Sequence, residues 1–388
     1  MSGEGKRYDA SDIEVLEGLT AVRKRAGMYV GSTGERGLHE LVFAVVSEAV
    51  NDVLTQGAGR VDVTLMADGG VRVTDDAPAP PFEAPAAGDI GGPGLEPRLA
   101  TLYAGAGPGD RNSVYVGAFS LGLVVATALS SRLTAEVRRE GVRRAQEYAR
   151  GVALAPPAAV GSATGTGKTI TFWPDTEIFE TARCSFAVLA ERFRQVAFLN
   201  RGLEISLTDE RPNGQARLER FRYSDGVRDF VAALDAEAGG SLHPDVIGFQ
   251  REDPRMAGTM EIALHWGGRD AEGVRGFANG RLTREGGTHV DGFRDGVTAA
   301  VTAYARERGL PAATDTGSIA DRIGRGLTAV VSVKLDRPEY LGPIRGLLGN
   351  TEVRVCVAEA VHHHLGAWFE EHPERAEAVV GEIVRTPV

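Results

Sequence analysis

Two carboxylates and an alanine mark the first place where this chain could do chemistry. From Leu38 the apolar residues Leu38, Leu41, Val42, Val45, Val46, Ala49, Val50, Val53 and Leu54 recur at intervals of three and four, the spacing of a helix with one buried face. Ala44, Glu48 and Asp52 follow at i, i+4 and i+8, so they form a second stripe beside the buried one. Glu48 and Asp52 are either solvated helix charges or part of a site. Asp75 is a different kind of carboxylate. Val61, Val63 and Leu65 alternate with polar residues, Asp68-Gly69-Gly70 supplies a turn, and Val71 and Val73 resume the alternation, which predicts a hairpin. Asp75 then falls on the side of Val71 and Val73, at the end of an apolar row. There it is either paired with a neighbour or aimed at a ligand.

Other chemical patterns carry less. Gly165-Thr166-Gly167-Lys168-Thr169 ends like a phosphate-binding loop, but the glycine required five residues before Gly167 is Ser162, and the segment runs into a strand rather than a helix. Lys168 is therefore read as a strand residue. His362-His363-His364 cannot converge on one ion, because successive helical residues point in different directions, and is read as a solvated face. Cys184 and Cys356 are the two cysteines, too few for a disulfide framework or a cysteine zinc site, and are expected to be buried thiols.

These residues must be positioned by a chain of 388 residues, about right for two domains at roughly 150 residues each. Its 43% hydrophobic and 25% charged residues are globular averages. A formal charge of -10 lacks the positive field of a dedicated DNA-binding domain, so DNA is not expected as a partner. The N-terminal MSGEGKRYDASD has no apolar core and no stretch approaches 18 apolar residues, so neither a signal peptide nor a membrane span is expected and the chain is placed in the cytoplasm. Residues 77–109 are dense in Pro, Ala and Gly and read as long covering loops. Helices are expected over 121–129, 186–197, 292–308 and from about 353, and strands over 131–137, 168–173, 260–266 and 327–333. A polar, turn-rich stretch at 209–224 places a boundary near Phe221, giving domains 1–221 and 222–388, both α+β.

Longer motifs carry a resemblance. Tyr8-Asp9-Ala10-Ser11, Val15-Leu16-Glu17-Gly18-Leu19, Val22-Arg23-Lys24-Arg25, Gly27-Met28-Tyr29-Val30-Gly31, Phe172-Trp173-Pro174-Asp175, Glu285-Gly286-Gly287-Thr288-His289, Gly326-Leu327-Thr328-Ala329 and Leu348-Gly349-Asn350 resemble the N-terminal ATPase region of the DNA gyrase B family over essentially the whole chain. The resemblance implies an α+β fold: a nucleotide-binding α/β sandwich of the GHKL (Bergerat) type followed by a smaller α+β transducer domain. It also implies that Tyr8 and Ile13 belong to an arm that crosses to a partner subunit, and hence a homodimer. The family's DNA-cleaving domain has no counterpart before Val388, so this chain alone is not expected to be a topoisomerase.

Against that family, the ATP site is altered at many points. The general-base position resembles Ala44, which cannot take a proton, and the magnesium position resembles Glu48, a carboxylate that could hold a hard cation. Asp52 keeps the third position. The family's glycine-rich turn after the adenine-reading aspartate reads Asp75-Asp76-Ala77-Pro78-Ala79-Pro80-Pro81, whose prolines remove backbone donors. The triphosphate lid reads Val116-Gly117-Ala118-Phe119-Ser120-Leu121-Gly122. The lysine upstream of the lid aligns near Gly107, and the relay lysine of the second domain resembles Arg345 in Pro343-Ile344-Arg345. The threonine beside the adenine-reading aspartate resembles Lys168, so an ammonium is expected near Asp75, within about 4 Å if it is to keep that carboxyl ionised. Arg139 matches a family arginine at the pocket rim.

The implied function is a gyrase-B-like protein without ATPase or topoisomerase activity, needing no cofactor and no metal. Its former ATP pocket is expected to bind an apolar small molecule, with Asp75 and Lys168 as catalytic groups and Ala44, Glu48, Asp52, Pro78, Phe82, Phe119, Leu121 and Arg139 around the substrate. The reaction would be a cofactor-independent cyclisation or isomerisation of a polyene or polyketide-like chain in specialised metabolism, achieved by orientation. The alternatives are a non-catalytic partner, regulator or immunity homologue that pairs with true gyrase B, and a residual ATP-binding gyrase B fragment.

Overall fold

The computed structural model describes residues 18–83, 94–102, 111, 113–118, 122–181, 183–211, 217–238, 245–267, 272–310, 316–342 and 346–385. Short helices α1 (Thr20–Lys24) and α2 (Ala26–Val30) lead into α3 (Glu35–Leu54), the hairpin β1 (Gly59–Leu65) and β2 (Val71–Asp75), α4 (Leu95–Ala100) and α5 (Leu123–Leu129). Strands β3 (Ser130–Arg139), β4 (Val142–Ala149), β5 (Val152–Ala153), β6 (Ala158–Ser162) and β7 (Gly167–Pro174) follow, then α6 (Phe186–Phe198), β8 (Leu203–Asp209) and β9 (Arg217–Phe221). The sheet order is β5-β4-β3-β7-β2-β1-β8-β9, with β6 beside β4. β1 and β8 run parallel, while β2 lies antiparallel to both β1 and β7.

Helix α3 forms as its periodicity predicts. Leu38, Leu41, Val42, Val46 and Val50 are fully buried against the sheet, where Val61, Val63, Val71 and Val73 supply the facing apolar row. The hairpin is also as expected, with Gly69 at φ 86 in its turn, a left-handed position that suits glycine. Within the stretch read as covering loops, residues 95–100 are instead helical. The cause is local: Pro97 sits in the first turn, where its missing N–H costs nothing, and Leu95 and Leu99 are fully buried.

The second half continues with α7 (Val227–Ala238), β10 (Ile247–Asp253), β11 (Gly258–Trp266), β12 (Gly273–Ala278), β13 (Arg281–Leu282), α8 (Thr288–Glu307), α9 (Thr316–Arg322), β14 (Leu327–Leu335), the small pair β15 (Tyr340–Leu341) and β16 (Leu347–Leu348), α10 (Thr351–Glu371) and α11 (Pro373–Arg385). Its main sheet has the order β10-β11-β14-β12-β13 and its own core around Trp266, Phe293, Val331 and Phe369. Helices α8 and α10 approach closely at Gly292, where an added Cβ would stand 2.3 Å from the Arg354 carbonyl oxygen.

An apolar seam joins the halves. Phe198 of α6 stacks on Phe230 of α7, with ring centroids 4.6 Å apart and planes 6° off parallel. A polar clasp accompanies it: Arg111 grips Asp336 with two bonds of 2.6 and 2.8 Å. The half-buried Arg192 donates to the carbonyl oxygens of Tyr115 and Val116 on one side and Gly280 on the other. Among the described residues no helix is long and apolar enough to cross a membrane.

Candidate functional site

The antiparallel register of β2 and β7 pairs Thr74 with Thr169, which sets Asp75 opposite Lys168 one position on. Both lie on the buried face of the sheet, since burial alternates as the strand geometry requires. Gly167, just before Lys168, has φ 137, and a Cβ there would meet the Asp75 carbonyl oxygen at 2.1 Å. Glycine thus permits the close crossing that brings the two side chains together. Arg138 secures the same corner, donating to the Asp75 carbonyl oxygen at 3.1 Å and to Thr169 Oγ1 at 2.9 Å.

Lys168 Nζ lies 2.6 Å from Asp75 Oδ2 and 2.6 Å from Asp52 Oδ2. Asp52 also accepts from Arg98 Nη1 at 3.3 Å through each oxygen, and Arg98 Nη1 stands 2.6 Å from Glu48 Oε1. The charges therefore alternate along one line: Asp75, Lys168, Asp52, Arg98, Glu48. Two of the five come from the stripe on α3, one each from β2 and β7, and one from α4.

Burial and pairing compete along this line. Burial works against the Lys168 ammonium, but Asp75 and Asp52 outweigh it and raise its pKa. Burial likewise opposes the Asp52 carboxylate, and Lys168 and Arg98 outweigh it, holding that carboxyl below its ordinary value. At Asp75 burial wins over Lys168, and the carboxyl is pushed up. The expected ammonium is thus in place, but it is shared with Asp52, so it does not by itself hold Asp75 at an ordinary carboxylate value.

The site's other residues divide. Ala44 and Phe82 are buried, whereas Pro78 is exposed, because the turn alternates and buries Ala77 and Ala79 instead. Thr166 Oγ1 pins that turn, accepting from the Ala79 N–H at 3.0 Å. Arg139 is exposed at the end of β3 and pairs with Glu140 at 2.8 Å, while its neighbour Arg138 makes the contact beside Asp75. His362 and His363 are exposed, and His364 stacks on Phe249 with centroids 4.1 Å apart. Phe119, Leu121, Gly107, Arg345, Tyr8 and Ile13 lie outside the described residues. Arg98 is the member that sequence reasoning missed; the only signal was a lone arginine in a Pro/Gly-rich segment, 50 residues from Glu48.

The arrangement can hold charges in fixed positions, but its described carboxylates and cations are already partners of one another. Magnesium, which the resemblance implies, does not fit: the position at Glu48 and Asp52 is filled by the Arg98 guanidinium and flanked by Lys168.

Comparisons with known proteins agree on ancestry. The DNA gyrase B family pattern matches residues 226–387. The DNA gyrase B protein of Streptomyces coelicolor is 42% identical over 96% of this chain and 56% of its own length. The novobiocin-resistant DNA gyrase B protein of Streptomyces niveus is 42% identical over 97% of this chain and 58% of its own. The chain thus spans a little over half the length of these curated relatives. The 43K ATPase domain of Thermus thermophilus gyrase B, solved in complex with an aminocoumarin, superposes with a TM-score of 0.80 at 31% identity over 95% of this chain and 94% of that one. On its buried frame, its motifs and these relatives, the chain belongs to the DNA gyrase B family.

Proposed function

We propose that this chain is a gyrase-B-family protein that works without nucleotide, as a non-catalytic partner of true gyrase B. The observation that carries it is the Lys168 ammonium, 2.6 Å from both Asp75 and Asp52. A carboxylate already bonded to an ammonium is a poor acceptor for an adenine amino group, and Ala44 offers no general base. The frame of the chain is intact: both sheets form, and Arg111 and Arg192 clasp the two halves together. The test uses purified protein mixed with purified gyrase B in sedimentation velocity. A mixed dimer without nucleotide is expected, and two species that sediment independently at tens of micromolar would overturn the partner role.

A second reading takes up the apolar residues of the candidate site. Ala44, Ala77, Ala79 and Phe82 are all less than 10% exposed, and a relative's ATPase domain has been solved with an aminocoumarin. On this reading the former ATP pocket receives an apolar small molecule and orients it for cyclisation, with Asp75 and Lys168 as its polar pole. Comparative metabolite profiling of a deletion strain tests it. Accumulation of an uncyclised precursor, relieved by wild type but not by Asp75→Asn, is expected, and an unchanged profile would end this reading.

A further inference from the structure

Glu48 and Asp52 meet a cation that the chain itself supplies. Magnesium demands oxygen ligands at about 2.1 Å in near-octahedral array, and an ion shared by these two carboxylates would take the space that Arg98 Nη1 occupies. It would also stand beside Lys168, which already bonds Asp52. Glu48, Asp52 and Asp75 are three carboxyl groups served by two fixed cations, so little uncompensated negative charge remains to draw in a third cation.

We propose that Arg98 is the specificity-determining residue of this site, a tethered guanidinium that takes the place of a divalent cation and makes the site metal-independent. The proposal rests on the nucleotide-independent reading given above. A guanidinium stays charged at any physiological pH and presents several donors at once. Being held by the chain, it competes at the millimolar effective concentrations typical of short tethers.

The proline-rich turn after Asp75 is tied to the helix that carries this residue. The carbonyl oxygens of Pro81 and Phe82 accept from the N–H groups of Leu95 and Glu96, both at 2.9 Å, satisfying donors that the first turn of α4 leaves open. Gly94 allows the approach, since a Cβ there would lie 2.0 Å from the Glu83 carbonyl oxygen. With Leu95 and Leu99 anchored in the core, Arg98 projects to the stripe on α3. The proline-rich run and the arginine thus form one structural unit.

Manganese(II) uptake followed by electron paramagnetic resonance, with no nucleotide present, tests this on the full chain. Wild type is expected to bind no manganese that Glu48→Gln removes. Arg98→Gln and Arg98→Met should each gain one equivalent, tightening uptake by at least about tenfold, and adding Glu48→Gln should abolish the gain. Stoichiometric, Glu48-dependent uptake by wild type would overturn the proposal. So would two Arg98 variants that keep their near-ultraviolet circular dichroism and still bind none, or that both fail to fold in millimolar manganese. ATP turnover by wild type would sink the functional reading instead, through a different assay.

Discussion

Lys168 is the residue on which the site depends, because it is fully buried and compensates two carboxylates at once. Removing one partner of a buried ion pair leaves uncompensated charge, typically at a cost of about 3–5 kcal/mol. Lys168→Met is therefore expected to lower urea-unfolding stability by about that much, and a loss below about 1 kcal/mol, the scale of an exposed pair, would show that the pair is solvated. The signs of the pKa shifts set the pH window. Asp52, held low, contributes stability above its unfolded value that is lost as pH falls through the folded one. Lys168, held high, contributes stability that is lost as pH rises through its folded value. Asp75, pushed up, works the other way, costing stability as pH rises above its unfolded value. A separate acid-sensitive group is His289, fully buried against Thr283 and lowered to about 3 by burial. Its unfolded form takes up a proton near 6.5, so stability should fall as pH drops from about 6.5 toward 3. His289→Gln should flatten that slope in urea titrations, and an unchanged slope would assign it to other groups.

At the scale of elements, α3 and the β1–β2 hairpin were legible because their periods are long and undisturbed: Leu38 to Leu54 spans more than four turns, and Val71, Val73 and Asp75 alternate cleanly. The face of Asp75 followed from that alternation. Its partner did not, because a period within one strand says nothing about the register with another; Lys168 was brought near Asp75 only by the family resemblance. Helix α4 was missed for a different reason. Six residues make too few turns to show a period, and Leu95 and Leu99 stand in a run rich in Pro and Gly. Arg139, matched to the pocket rim, lies exposed at the end of β3, while its neighbour Arg138 reaches the corner beside Asp75, a contact that no motif marked. The pairing of α8 with α10 was equally silent in sequence, because nothing marks Gly292 as the point of closest approach. Gly292→Ala should force those helices apart and cost about 1–3 kcal/mol, as overpacking does. Thermal unfolding checks this, and an unchanged or raised midpoint would show that the helices yield freely.

For the whole molecule, a family frame carries a site of paired charges. Relatives at 42% identity and a superposition at TM-score 0.80 place both halves in the gyrase B family, and within that frame Lys168 and Arg98 pair with Asp75, Asp52 and Glu48. Arg111 and Arg192 join the halves through bonds to Asp336 and to the Gly280 carbonyl oxygen. A two-fold homodimer in the absence of ATP is expected by light scattering, and a monomer at tens of micromolar would contradict it. On the nucleotide-independent reading proposed above the protein does not use ATP, and calorimetric titration of the purified chain with a non-hydrolysable ATP analogue and magnesium tests this most directly. The expected result is no binding tighter than a dissociation constant of about 10 μM; a tighter constant, reached with one nucleotide per chain, would contradict it.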